Sequence, residues 1–158
     1  MTNFNSTKYT RNSLASWKDY PKIVEVRRTS VSKLIIVAIG GALGAVSRYS
    51  LGMLVAQFWK DPFPLGTWLI NTSGSFAIGL CLTLLKQWKT TSSVWHLAIS
   101  IGFIGAFTTF STFEYEIWQL IESGQSGRAS FYALASLIIG LLAVFVGVAV
   151  GSLLVASD

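Results

Sequence analysis

Residues 102–114 read Gly102-Phe103-Ile104-Gly105-Ala106-Phe107-Thr108-Thr109-Phe110-Ser111-Thr112-Phe113-Glu114, and they lie inside an apolar run of about 94–121. That run exceeds the roughly 20 residues a helix needs to cross a hydrocarbon core of about 30 Å. Its middle, however, holds four hydroxyl side chains, a glycine pair and β-branched threonines. Such residues are poor helix material. The segment therefore reads as a membrane span whose helix breaks at mid-membrane. Non-helical backbone at that depth is tolerated only where it lines a cavity or is buried in protein. The carbonyls it frees are hard oxygen ligands, suited to a small cation such as Na+. Phe110 and Phe113, three residues apart, share one face of a helix resuming after the break. Among so many hydroxyls they read as more than lipid contact.

Working outward, three further apolar runs of about 34–59, 65–85 and 129–155 bring the number of spans to four. The fold class expected is an all-α membrane protein. The chain has 158 residues, 52% hydrophobic and 12% charged, with a mean hydropathy of +0.56. An ordinary soluble domain carries about 25% charged residues, so a water-soluble enzyme and a disordered chain are both excluded. One cysteine, Cys81, and one histidine, His96, leave no intramolecular disulfide, no multi-thiolate zinc site and little scope for histidine catalysis.

The net charge of +5 resembles a nucleic-acid signal until it is located. Lys8, Arg11, Lys18, Lys22, Arg27, Arg28 and Lys33 all precede the first span, and charges after residue 33 cancel. Residues 1–33 thus read as a basic, flexible cytoplasmic tail and 34–158 as the membrane domain, with no nucleic-acid partner. With the N-terminus inside, the tail cations, Lys86 and Lys89 face the cytoplasm, while only Lys60 and Arg128 lie outside. The positive-inside rule then places both termini in the cytoplasm.

Polar residues within the spans are costly unless they face protein or water. Span one carries Gly40-Gly41-Ala42-Leu43-Gly44-Ala45-Val46-Ser47-Arg48-Tyr49, in which Gly40 and Gly44 form a close-approach face. Arg48 either snorkels to the headgroups or has a structural or vestibule role. In span two Asn71 makes an interhelical hydrogen bond or donates into a polar pathway. Its neighbours Thr72, Ser73 and Ser75 are expected to bond back to their own helix. Span four places Tyr132 and Ser136 on one polar stripe, with Gly147 and Gly151 as a second close-approach face. Glu122 reads as solvated, and Cys81 and His96 as packing and span-end residues. Trp59, Trp68, Trp88, Trp95 and Trp118 fall near span ends, where an indole suits the interface.

The order of four spans, with GGALGAVSRY at 40–49, GTWLINTSGSFAIG at 66–79 and GFIGAFTTFSTFE at 102–114, resembles the Fluc/CrcB fluoride channels over about 34–155. The resemblance implies a passive, fluoride-selective channel, not an enzyme, built in the bilayer as an antiparallel dual-topology dimer with two pores. It implies that Phe110, Phe113 and Asn71 lie along the fluoride pathway, with Ser111, Thr112, Tyr132 and Ser136 in its polar track. It also implies a central structural Na+ held by the backbone carbonyls of Gly105 and Thr108. Gly140 stands one turn past Ser136, where a serine would extend the track. The setting expected is the plasma (inner) membrane.

Three rivals stand beside this reading. A small multidrug exporter needs a carboxylate in span one, and residues 34–59 contain none. A proton-coupled fluoride or anion exchanger needs a titratable pathway group, for which only Glu114 and Glu116 qualify. A non-transporting membrane assembly factor rests on the small-residue faces alone. The charge bias also departs from what a dual-topology homodimer usually shows, so pairing with an oppositely oriented homologue is an alternative to self-pairing.

Overall fold

The structure, a computed structural model, describes residues 31–87 and 93–156. The tail through residue 30 and residues 88–92, with Trp88 and Lys89, lie outside the described residues. All regular structure among the described residues is helical. Helix α1 is Val31–Phe58 and α2 is Leu65–Gln87. The third stretch begins as α3 (Ser93–Trp95), continues as a π-helix over His96–Ile104 and finishes as α4 (Gly105–Phe107). Helix α5 is Phe110–Glu122 and α6 is Ser126–Ala156. Among the described residues four stretches, Val31–Phe58, Leu65–Lys86, His96–Glu122 and Ser126–Ala156, are long and apolar enough to cross a membrane. This agrees with the four spans read from the sequence. Helix α1 is already helical at Val31, the first described residue, and α6 starts earlier than expected, at Ser126, because a helix carries on past its apolar stretch until a turn residue stops it.

The turns follow from local chemistry. After α1, Trp59 N–H donates to the Val55 carbonyl at 2.9 Å and the Lys60 Nζ to that of Ala56 at 2.6 Å, so the last carbonyls are satisfied. Asp61 Oδ1 then accepts from Phe63 N–H at 2.8 Å, and Pro64 starts α2 with its carbonyl accepting from Trp68 N–H. Between α5 and α6 the chain reverses at Gly124, whose φ of 76° is the left-handed region that favours glycine. Arg128, in the first turn of α6, pairs with Asp61 at 3.2 Å and ties these two turns together.

Two close helix pairs build the body of the protein: α1 lies along the π-helix and α4, and α2 lies along α6. Both contacts need glycine. A Cβ on Gly44 would run into the Phe103 carbonyl, and one on Gly147 into the Phe76 carbonyl. Without a hydrophobic force between helices in lipid, such backbone proximity supplies the dispersion contact that holds them. Large side chains such as Leu43, Val46, Phe131, Leu137 and Phe145 point outward and are exposed, as a bilayer setting requires. The buried cluster of Phe113, Leu120, Ala129 and Tyr132, between α5 and α6, is small.

The nine-residue π-helix has no counterpart in the sequence reading. Such helices are rare, and hydropathy does not report which carbonyl an N–H selects. Trp68 also differs from the expected interfacial indole. It packs inward, edge-on to Phe63 at a centroid distance of 6.5 Å, with its Nε1 buried.

Candidate functional site

Helix α4 stops at Phe107, and both Thr108 (φ −80°, ψ 159°) and Thr109 (φ −149°, ψ 119°) are extended before α5 begins. A helix end buried among other helices must have its backbone groups satisfied. Thr108 donates twice to the Ile104 carbonyl, from its N–H and its Oγ1, each at 3.0 Å. Arg48 Nε, reaching across from α1, donates to the Ala106 carbonyl at 3.1 Å. Thr109 caps α5, its Oγ1 accepting from Thr112 N–H at 3.3 Å and donating to Thr112 Oγ1 at 2.9 Å. None of these bonds goes to the carbonyls of Gly105 or Thr108.

Asn71 completes the arrangement from α2. Its Oδ1 accepts from Thr109 N–H at 2.8 Å, and its Nδ2 donates to the Thr109 carbonyl at 2.9 Å. The side-chain amide thus pairs with an extended residue as a neighbouring strand would. An asparagine has two amide N–H groups, so one donor remains beyond the bond to Thr109.

A cavity of about 420 Å³ opens at this interruption. Among the residues singled out in the sequence, it brings together Asn71, Gly105, Thr108, Phe110, Phe113 and Ser136. Phe110 is 66% exposed whereas Phe113 is 8% exposed, and their rings lie 5.9 Å apart, tilted by 40°. The shared face deduced from their spacing is therefore present, with one ring at the surface and one inside.

Tyr132, Thr112, Ser111 and Arg48 lie elsewhere. Tyr132 is fully buried behind Phe113, its ring edge-on at 5.0 Å, and its hydroxyl donates to Glu116 Oε2 at 2.8 Å. Thr112 and Arg48 line a second cavity of about 350 Å³ between α1, α2 and α5. Ser111 is exposed and lines neither cavity.

Glu116 is the residue whose place the sequence left open. Its two carboxylate oxygens accept from Thr67 Oγ1 at 2.6 Å and from Tyr132 OH at 2.8 Å, so α2, α5 and α6 meet at one carboxylate. The only sequence signal for it was an acid within a span, because its partners are 49 and 16 residues away. Glu114 is exposed. Among the described residues no group of three or more His, Cys, Asp or Glu side chains is arranged to hold a metal ion. Backbone carbonyls and hydroxyls are the oxygen donors at the interruption.

Residues 35–148 match the family described as CrcB-like protein, Camphor Resistance (CrcB). A protein of Acidobacterium capsulatum named fluoride-specific ion channel FluC is 49% identical over 124 residues, covering 78% of this chain and 99% of the relative. A Dehalococcoides mccartyi protein of the same name is 41% identical over 128 residues, covering 78% of this chain and 95% of the relative. One from Thermus thermophilus is 41% identical over 125 residues, covering 79% and 98% respectively.

Proposed function

The chain belongs to the CrcB-like family, and from that premise we propose that it is a passive, fluoride-selective membrane channel that lets fluoride leave the cell. The observation that carries this reading is the cavity at the Thr108–Thr109 interruption. There a spare amide donor of Asn71, two phenyl rings and several hydroxyls line one space, and none of the lining residues is charged. Fluoride surrenders its water reluctantly, so a pore must offer several weak donors and no strong trap. Hydroxyl and amide N–H groups are such donors. A phenyl ring presents a positive edge, and paired rings solvate an anion edge-on without holding it as a fixed cation would. The pathway runs past Asn71, Phe110, Phe113 and Ser136; Tyr132 backs the Phe113 ring, and Ser111 and Thr112 lie off this cavity.

The working unit is an antiparallel dimer with two pores, formed by two copies of this chain or by this chain and an oppositely oriented homologue. The exposed Phe110 ring and the exposed Gly105 favour a partner across this face. Only the Ser100 carbonyl comes within 4 Å of a Cβ placed on Gly105. A structural Na+ fits the donor set, because the carbonyls of Gly105 and Thr108 are neutral hard oxygens outside the local hydrogen bonds. The carbonyls of Gly105 and Thr108 would hold it, and there it would supply positive potential near the anion path. Arg48 fastens α1 to the end of α4 through the Ala106 carbonyl and so supports the interruption. Both termini face the cytoplasm of the inner membrane, following the bias of Lys and Arg.

The test is reconstitution of the purified chain alone into KF-loaded liposomes, with efflux read by a fluoride electrode and KCl-loaded vesicles as controls. Fast fluoride loss with negligible chloride loss is expected, and it would also show that two copies suffice. Silence both alone and with the co-expressed homologue would overturn the channel reading.

A further inference from the structure

Hydroxyl side chains in membrane helices commonly return their hydrogen bond to their own backbone. Ser73, Thr83, Thr108 and Ser152 do so, each to the carbonyl four residues earlier. Ser100 and Ser136 do not. Their Oγ atoms are buried without a hydrogen-bond partner, and Ser100 as a whole is only 8% exposed. Ser75, which the sequence reading expected to bond back like Ser73, faces the same space: all three serines line the cavity shared by Asn71, Phe110 and Phe113. They come from three different elements, α2, the π-helix and α6. Trp68 Nε1, the other buried unpaired side-chain atom among the described residues, lies outside this cavity.

Ser75 also answers the question raised by Gly140. Tyr132, Ser136 and residue 140 follow one another at successive turns of α6, and glycine breaks the polar stripe. Ser75 Oγ stands 3.6 Å from the point a Cβ on Gly140 would occupy, with no other side chain within 4 Å of that point. A hydroxyl from α2 thus reaches the place where α6 lacks one.

Burying unpaired O–H groups is unfavourable unless something accepts from them. A cavity with neutral rotatable donors and no charged lining selects a small acceptor that must be stripped of water and yet released. We propose that Ser75 and Ser100, together with Ser136, form a hydroxyl cage that takes the dehydrated fluoride ion beyond the Phe110 and Phe113 rings. This rests on the channel reading above and adds to it two pathway residues from outside the Phe-rich segment and the α6 stripe. In the cage each hydroxyl turns its hydrogen to the anion, and three donors on separate helices replace part of its hydration shell.

The experiment uses the full chain in KF-loaded liposomes, with Ser75→Ala and Ser100→Ala made singly. Each is expected to slow fluoride efflux by about tenfold, the scale of one hydrogen bond to a charged group. Thermal unfolding in detergent provides the second readout. Losing a hydroxyl that bonds nothing within the protein should leave the midpoint unchanged or raised, whereas a structural role would lower it. The third arm adds Gly140→Ser to Ser75→Ala, which restores a hydroxyl at the same place from α6 and should recover most of the flux. Undiminished flux from both single variants in a conducting wild type overturns the cage alone. A lowered midpoint accompanying the lost flux overturns it as well, by assigning the serines to the fold. A wild type that carries no fluoride, both alone and with the co-expressed homologue, overturns the channel reading and the cage with it.

Discussion

Replacing Asn71 by alanine removes two hydrogen bonds at once and leaves Thr109 N–H and the Thr109 carbonyl without their partner. An orphaned backbone group in a buried setting costs about 1–3 kcal/mol. Thr109 borders the cavity, where water can reach part of it, so the lower end applies, about 2–3 kcal/mol for the pair. For a chain of this length each kcal/mol lowers the thermal midpoint by about 2–4 °C, so a fall of roughly 4–12 °C is expected. Thermal unfolding of the purified protein in detergent, followed by tryptophan fluorescence, measures it. Asn71→Asp separates the structural role from the conducting one. The carboxylate still accepts from Thr109 N–H but sets an oxygen against the Thr109 carbonyl, and its charge repels fluoride. Both variants should therefore lose stability, and Asn71→Asp should in addition stop efflux completely. An Asn71→Ala midpoint within 1 °C of wild type would refute the bracket, taking 2 °C per kcal/mol as the smallest response. Fluoride efflux through Asn71→Asp at the wild-type rate would leave Asn71 a structural residue only.

Further outcomes follow from other contacts. Phe110→Ile and Phe113→Ile should each abolish fluoride efflux while the dimer still forms on a sizing column. Only Phe113→Ile should also lower the thermal midpoint, because Phe113 is buried against Tyr132 and Phe110 is exposed. Gly44→Ala drives a Cβ into the Phe103 carbonyl and should cost about 1–3 kcal/mol. Gly52→Ala, with nothing within 4 Å of the new Cβ, should be neutral or stabilising by up to about 1 kcal/mol in the same melt. Glu116→Ala and Tyr132→Phe each remove the same hydrogen bond, so a double-mutant cycle on unfolding should give a coupling of about 0.5–3 kcal/mol. Strict additivity would mean that the bond contributes nothing.

The number and order of the spans were legible in the residue order because bilayer insertion is governed by the summed transfer cost of each segment, a local quantity. The unusual character of residues 102–114 was legible for the same kind of reason: glycine, threonine and serine at membrane depth conflict with helix propensity wherever they are packed. The shared face of Phe110 and Phe113 needed only helical periodicity. Tertiary structure decided the rest, through partners far apart in the chain. Asn71 was recognisable as a polar residue in a span, but its pairing with Thr109 depends on α2 lying beside the interruption, 38 residues on. Arg48 stood between two roles until its reach to the Ala106 carbonyl was in view. Ser73 and Ser75 look alike in the sequence, yet one bonds back to its own helix and the other borders the cavity. Hydropathy and periodicity say what a segment must hide and which positions share a face. Which donor finds which acceptor depends on the azimuth and depth at which helices meet, and close contacts at glycines such as Gly44 and Gly147 set these only in the folded protein.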